Sequence, residues 1–171
     1  MTETQALPPP ISLRPLTLAD APALQKVYSA GAAFFVQSTG IPPDACQASH
    51  DLAEAISDKG RHILGIYLHD EMVGVIDLRL AEPEPFDVHI GLILMAEPYR
   101  VQGLGSWALR ILEAWLARDT PTEAVVVTVA AQDHVAQRFF LSNDYVFTGQ
   151  STRVLMGTTR LRLLEMRKGL R

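Results

Sequence analysis

The segment of residues 95–107 carries groups suited to binding an anion. An apolar run ends at Met95, and a helical pattern begins near Leu104. A helix start offers backbone N–H groups without intrahelical partners and the positive end of the helix dipole, and both attract phosphate. The residues of this turn that would serve such a site are Arg100, Gly103, Gly105 and Ser106. The glycines would leave room for a phosphate, although an isolated pair is also typical of a tight strand-to-helix connection.

Two apolar strands and a helix position this turn. Residues 88–95 form a nearly continuous apolar run, which is typical of a buried central strand. Residues 104–116 place apolar side chains along one broad stripe, which predicts a helix packed on the sheet. Residues 124–130 read as a second buried strand. A strand, helix, strand succession of this length predicts a parallel pair joined by a right-handed crossover.

The remaining elements flank this unit. Further strands are predicted at residues 11–16, 61–68, 72–80, 145–148 and 160–166, and the second and third of these should pair as an antiparallel hairpin. Helices are predicted after a capping box of Thr17 and Asp20, after a loop at residues 37–44, and at residues 133–141. We expect the second helix to be capped by Asp44, to carry Leu52, Ala53 and Ile56 at helical spacing, and to stop near Gly60 in a left-handed conformation.

Composition restricts the class of protein. With 171 residues, 48% of them hydrophobic, the chain predicts a flexible tail at residues 1–10 and one domain at residues 11–171. The formal net charge of -4 disfavours nucleic acid as a partner. No segment resembles a signal peptide or a membrane span, so no membrane partner is expected. The single cysteine, Cys46, suits the reducing cytoplasm and is not expected to act as a nucleophile.

The turn resembles that of the GNAT superfamily of acyl-CoA-dependent N-acyltransferases. Residues 100–105 fill the family motif Q/R-x-x-G-x-G/A, and the order of elements along nearly the whole chain is similar. The resemblance implies an α/β (α+β) fold with a mixed, mostly antiparallel sheet of about seven strands, flanked by helices and containing the parallel crossover between strands four and five. It also implies transfer of an acetyl group from acetyl-CoA to a primary amine of a small molecule or peptide, by direct transfer in a ternary complex.

The same resemblance assigns the donor site. The pantetheine would pair with the backbone of the fourth strand at three residues, Ile93, Leu94 and Met95. The diphosphate would lie over the turn and the first helical residues, which are Arg100, Val101, Gln102, Gly103, Leu104, Gly105 and Ser106. A backbone N–H of the strand would polarise the thioester carbonyl.

The helix at residues 133–141 departs from the family pattern N-x-x-A-x-x-F-Y. Asp133 replaces an asparagine that often contacts the cofactor, and Phe140 replaces a tyrosine that often protonates the departing thiolate. Asp144 and Tyr145 stand where Gly-Phe is usual. Phenylalanine has no proton to donate, but a thiol with a pKa of about 8.5 is a tolerable leaving group. We therefore expect activity without the usual acid. Phe140 stands at a cofactor-binding position of the family, and we expect its ring to pack in the core.

His89 occupies the position where the family often has a glutamate base. Histidine titrates near neutral pH and is suited to taking a proton from an attacking ammonium. Asp87 lies two residues earlier, so both side chains should project from one strand face and could share a site. A structural histidine beside a surface aspartate is the alternative. The other histidines lack metal-ligand spacing, so no metal is predicted.

Two other functions fit part of the pattern. Gly103, Gly105 and Ala108 match the dinucleotide fingerprint G-x-G-x-x-G/A, but seven residues separate Met95 from Gly103, and the hairpin fits a doubly wound sheet poorly. A non-catalytic acyl-CoA-binding module would explain the missing tyrosine.

The final strands could also pair in a homodimer, and the sequence does not identify the acceptor.

Overall fold

The computed structural model describes residues 9–100 and 102–171, with the backbone alone at Ser38. The strands are β1 Ile11–Pro15, β2 Arg61–Leu68, β3 Glu71–Leu80, β4 Asp87–Met95, β5 Ala124–Ala130, β6 Val146–Met156 and β7 Thr159–Gly169. The α-helices are α1 Ala21–Ala30, α2 Ala32–Thr39, α3 Gln47–Ser57, α4 Leu104–Asp119 and α5 His134–Ser142. Among the described residues, no helix is long and apolar enough to cross a membrane.

The strands form one seven-stranded sheet in the order β1-β2-β3-β4-β5-β7-β6. Neighbouring strands are antiparallel except β4 and β5, which are parallel. The crossover between these two contains α4, as the strand, helix, strand pattern predicts. The predicted mixed sheet is therefore confirmed. A doubly wound dinucleotide fold is excluded, because that fold has a mostly parallel sheet, whereas the sheet of this protein is mostly antiparallel.

The sheet divides the core into two clusters, and helices cover each of its faces. On one face, Ala108, Leu109 and Leu112 of α4 pack against apolar side chains of the central strands. On the other face, Leu24 of α1 and Leu52 of α3 belong to a second cluster. Each helix buries one stripe, which is how short helices gain most of their stability.

The region between α2 and β2 differs from the expected one. Helix α2 continues to Thr39, so the loop begins at Gly40, where φ is +80°. Asp44 does not cap α3, because its carboxylate accepts the N–H of Cys46, ahead of the first helical residue. The buried face of α3 is formed by Ala48 and Leu52, whereas Ile56 is 64% exposed.

Two further boundaries also differ. Helix α3 ends at Ser57, and Gly60 is not among the left-handed glycines. Strands β6 and β7 are longer than predicted and form one hairpin closed at residues 157–158. Strand β6 is an edge strand whose side chains are almost all exposed. Without a buried face, its residues show no alternation of polar and apolar side chains by which a strand is recognised.

Candidate active site

A cleft opens where β4 and β5 separate. Their parallel pairing covers Asp87 to Ile90 on β4 and Ala124 to Val127 on β5. Beyond this register, residues 90–93 of β4 and 127–130 of β5 line a narrow cavity between the two strands. The edge of β4 that faces this cleft can pair with an extended ligand carrying amide groups, as an added strand would.

The direction of the backbone groups of β4 follows from its pairing with β3. The N–H of Ala96 donates to the carbonyl of Val73 on β3, at 2.8 Å. Because these groups alternate along a strand, Leu94 also points its N–H and carbonyl toward β3. Ile93 and Met95 point theirs toward the cleft. Of the three residues predicted to pair with pantetheine, two therefore present their backbone and Leu94 does not.

Gly91 forms a β-bulge that reverses the faces of β4. In the pairing with β3, Asp77 lies opposite Leu92 and Leu78 opposite Ile90, which leaves Gly91 as an extra residue. Before the bulge, Ile90 packs with the cluster under α4, and after it Leu92 packs with the cluster under α1. The cleft-facing backbone of Ile93 and the side chain of His89 consequently lie on the two sides of one short irregularity.

The turn ahead of α4 has the geometry of an anion site. Gly103 is the N-cap of α4 with φ of +73°, which requires glycine or a strained residue. The N–H of Trp107 donates to the carbonyl of Gly103, so the N–H groups ahead of Trp107 lie at the open end of the helix. Gly105 has a different function, because a Cβ there would contact the ring of Phe139 at 3.4 Å. It allows α4 to pack closely on α5.

A cavity of about 180 Å³ joins this turn to the cleft. Its lining includes Ile93, Leu94 and Met95 from β4, Arg100, Gly103, Gly105 and Ser106 from the turn and α4, and Asp133, Ala136 and Phe139 from α5. The guanidinium of Arg100 stacks on the ring of Phe34 at one side of this cavity. Burial lowers the pKa of Arg100, and the carboxylates of Glu97 and Asp133 oppose that shift. The cavity thus combines a cation with the N-terminal end of α4.

Three of the residues predicted for this site do not line the cavity, and a fourth lies outside the described residues. The side chain of Gln102 is exposed and donates to the carbonyl of Pro98, and that of Leu104 is buried in the core. Phe140 packs edge-on between Phe139 and Tyr145 and reaches only the inner end of the cleft. Val101 lies outside the described residues.

The sequence prediction missed Phe139, which takes the place in the cavity expected of Phe140. The helical spacing from Asp133 and Ala136 could have identified it, because residues three apart share a helix face. Asp133 itself caps α5 by accepting the N–H of Ala136 at 3.0 Å. Its carboxylate is thus held by the helix while one side borders the cavity.

His89 lines a second cavity, of about 450 Å³, on the other side of the bulge. Its Nε2 lies 3.4 Å from the hydroxyl oxygen of Thr128 on β5. Burial lowers the pKa of His89, and the nearby carboxylates of Glu82 and Glu165 oppose that shift. The imidazole is therefore neutral near pH 7, which is the form that can accept a proton.

Asp87 is in a different setting from the one expected. Its carboxylate is 2% exposed and accepts two hydrogen bonds from the guanidinium of Arg167, at 2.7 and 2.8 Å. This bidentate pair crosses β5 and ties β4 to β7. Asp87 is therefore neither a surface residue nor hydrogen-bonded to His89, and it lies outside the lining of the second cavity.

The second cavity is lined by both carboxylates and guanidiniums. Arg61 contacts Asp51, Glu54 and Asp77, with the shortest distance, 2.6 Å, to Asp77. The hydroxyl of Tyr28 also donates to Asp51, at 2.7 Å. With the three carboxylates of Asp51, Asp77 and Glu82 and the two guanidiniums of Arg61 and Arg79, the cavity lining carries one excess negative charge, which favours a cationic amine only slightly. Among the described residues, no group of three or more His, Cys, Asp or Glu side chains is arranged to hold a metal ion.

Comparison with known proteins agrees with this geometry. A family model described as the acetyltransferase (GNAT) family matches residues 26–145, which is more than half of the chain. A search of curated proteins found no significant match.

Among solved structures, an acetyltransferase from Thermus thermophilus is 24% identical with a TM-score of 0.76, over 93% of this chain and 96% of that one. A ribosomal L7/L12 alpha-N-protein acetyltransferase in complex with coenzyme A is 17% identical with a TM-score of 0.80, over 93% of each chain. The ribosomal-protein-S18-alanine N-acetyltransferase of Escherichia coli is 14% identical with a TM-score of 0.70, over 94% of each chain. At these identities the structural matches establish the fold alone.

Proposed function

The chain belongs to the acetyltransferase (GNAT) family, and from this premise we propose that it transfers an acetyl group from acetyl-CoA to a primary amine by direct transfer in a ternary complex. The observation that carries the proposal is the cleft along β4. It connects a helix N-terminus suited to a diphosphate with a cavity that holds a neutral histidine. A donor that binds on one side of Gly91 can meet an acceptor from the other side.

The residues of the first cavity fit acetyl-CoA. The backbone groups of Ile93 and Met95 would hydrogen-bond the amides of the pantetheine arm. The open N–H groups at the start of α4, the hydroxyl of Ser106 and the guanidinium of Arg100 would bind the diphosphate. This division uses backbone groups for most contacts, so the substitutions at Asp133 and Phe140 leave it intact.

His89 would act as the general base. The amine arrives as an ammonium, and the neutral imidazole takes its proton, directly or through one water molecule. The free amine then attacks the thioester carbonyl, and the N–H of Ile93 stabilises the charge that develops on the carbonyl oxygen. The attacking nitrogen, which now carries a positive charge, releases its second proton to solvent, the bond from carbon to sulfur breaks, and CoA leaves as a thiolate. Phe140 cannot protonate it, so the proton comes from solvent.

The acceptor would enter the cavity beside His89. Its lining carries one more carboxylate than guanidiniums, which is compatible with a cationic amine on a small molecule or at a peptide N-terminus. The structural neighbours that acetylate ribosomal proteins support a peptide among the acceptors to be tested. A lone cysteine suits a reducing compartment, and we place the reaction in the cytoplasm.

An acceptor screen tests the proposal. The protein is incubated with acetyl-CoA and a panel of small amines, amino acids, aminoglycosides and peptides, and release of the CoA thiol is measured. Transfer predicts thiol release and a product heavier by one acetyl group with at least one acceptor. Binding of acetyl-CoA without release across the panel would favour the non-catalytic module, which the missing acid at Phe140 motivates. A melting temperature raised by NAD and unchanged by acetyl-CoA would overturn both.

A further inference from the structure

Asn143 connects the end of α5 to the first turn of α4. Its side chain is 4% exposed. The amide nitrogen, Nδ2, lies 2.8 Å from the carbonyl oxygen of Phe139 and 3.0 Å from the hydroxyl oxygen of Ser106. Ser106 lines the cavity beside Gly103 and Gly105. A buried amide is thus in direct contact with a hydroxyl that faces the donor site.

The partners of Asn143 fix the direction of both hydrogen bonds. A carbonyl oxygen can only accept, so the nitrogen of the amide, and not its oxygen, must face Phe139. The second N–H of the same nitrogen donates to Ser106. A hydroxyl has one hydrogen and two lone pairs. Because a lone pair of Ser106 is already used by Asn143, its hydrogen is left to donate into the cavity.

The backbone holds Asn143 in place. Its N–H and that of Tyr145 both donate to the carbonyl of Phe140, at 3.0 and 3.1 Å. Between them, Asp144 adopts a left-handed conformation with φ of +70°. This chain reversal ends α5 and directs the amide toward α4 rather than toward solvent.

We infer that Asn143 is a positioning residue for the donor site, which keeps the Ser106 hydroxyl as a hydrogen-bond donor to a diphosphate oxygen. The inference rests on the proposed function, because it requires coenzyme A in the first cavity. An anionic oxygen accepts a hydrogen bond and cannot donate one, so a hydroxyl free to turn its hydrogen elsewhere would bind it less well. An asparagine that only ends α5 would need its contact with Phe139 alone.

Calorimetric titration of four proteins tests this role: the wild type, Asn143→Leu, Ser106→Ala and the double variant. The ligands are coenzyme A, dephospho-coenzyme A, which keeps the diphosphate, and S-acetylpantetheine, which lacks it. We expect each single variant to bind the first two about tenfold more weakly, as a hydrogen bond to a charged group implies. Affinity for S-acetylpantetheine should stay unchanged, and Asn143→Leu should add little in the Ser106→Ala background.

Ser142→Ala is the matched control. The hydroxyl of Ser142 donates to the same carbonyl of Phe139, at 2.8 Å, but is exposed and does not contact Ser106. Its removal should leave coenzyme A affinity unchanged. If Asn143→Leu does not fold, Asn143→Asp replaces it, because a carboxylate accepts the hydrogen of Ser106 and should weaken coenzyme A binding more than tenfold.

Three results would overturn the inference. They are wild-type affinity for coenzyme A in Ser106→Ala or in the Asn143 variant, an equal loss for S-acetylpantetheine, and an undiminished effect of Asn143→Leu in the Ser106→Ala background. Each leaves the proposed function standing if the wild type binds coenzyme A. Failure of the wild type to bind coenzyme A refutes both.

Discussion

Replacing His89 by glutamine tests the proposal that this residue is the general base. Glutamine keeps the length and polarity of the side chain but cannot act as a base near neutral pH. A positioned general base contributes roughly 10²- to 10⁴-fold to the rate, so we expect kcat to fall at least about a hundredfold. The wild type should also lose activity as the pH falls and the imidazole becomes protonated. Because burial lowers the pKa of His89, the midpoint of this loss should lie below the ordinary histidine pKa of about 6.5. The variant should lack this limb of the pH profile.

The structure separates this effect from one on stability. The recorded hydrogen bond of the His89 side chain is the 3.4 Å contact with Thr128, so its loss should cost no more than about 1 kcal/mol. A protein with an unfolding free energy of about 5 kcal/mol would then keep about 4 kcal/mol, with less than about 1% unfolded. Unfolding therefore cannot produce a hundredfold loss of rate.

The assay is the initial rate of CoA thiol release with a productive acceptor, measured from pH 5 to 9 with acetyl-CoA saturating. His62→Gln is the matched control, since His62 is an exposed histidine on β2 and does not line the cavity of His89. The control should keep the wild-type rate and profile. Wild-type kcat and an unchanged acid limb in His89→Gln would refute the assignment of His89 as the base.

Three further substitutions test the surroundings of the site by urea unfolding, and a fourth tests the turn. Arg167→Ala should destabilise the protein by about 3–5 kcal/mol, because it leaves Asp87 buried without its counter-ion. Asp87→Ala should cost less, about 1–3 kcal/mol, since the 41% exposed Arg167 can reach water, and equal costs would contradict this asymmetry. Asp144→Gly should stabilise by about 0.5–1 kcal/mol by relieving the left-handed φ of +70°, and a lower stability would show that Asp144 has another role. Gly103→Ala should cost about 1–2 kcal/mol through backbone strain alone, because its Cβ would have no atom within 4 Å; no measurable cost would count against that strain.

The strands and helices whose apolar residue pattern reflects burial in the core were predictable from the sequence. The run at residues 88–95 predicts β4, and the broad stripe from Leu104 to Leu116 predicts α4, because both elements lie in the core. The turn between them was recognisable from Gly103, whose left-handed conformation only glycine adopts without strain. In contrast, α3 is covered on a narrow face, so of the apolar residues predicted at helical spacing only Leu52 is buried, whereas Ala53 and Ile56 are exposed.

Contacts between distant residues were not predictable from local pattern. Asp87 and Arg167 are 80 positions apart, and only the sheet order brings them together across β5. The proximity of Asp87 to His89 in sequence suggested a shared site, whereas the bidentate pair had no signal in the sequence. The same limit applies to Asn143 and Ser106, which meet because the C-terminal end of α5 lies next to the N-terminal end of α4 in the fold.

The Gly91 bulge is the feature that a single sequence conceals most completely. A continuous apolar run gives no alternation, so the point where β4 changes faces cannot be read from residues 88–95. If Gly91 continued the regular alternation instead of forming a bulge, the side chain of Ile93 would face the same side of the sheet as that of His89. The position of the His89 side chain relative to the residues that follow it on β4 therefore depends on a backbone irregularity.

The distribution of hydrogen bonds separates His89 from the buried polar side chains. The buried polar side chains Asp87, Glu113, Asp133 and Asn143 each have an internal partner at 3.0 Å or less. Among the described residues, no buried side-chain nitrogen or oxygen lacks a partner. His89 differs because it is half-buried, neutral and held by one long contact beside an open cavity. A base must exchange its proton with a substrate, so this setting supports the proposal that His89 is the base.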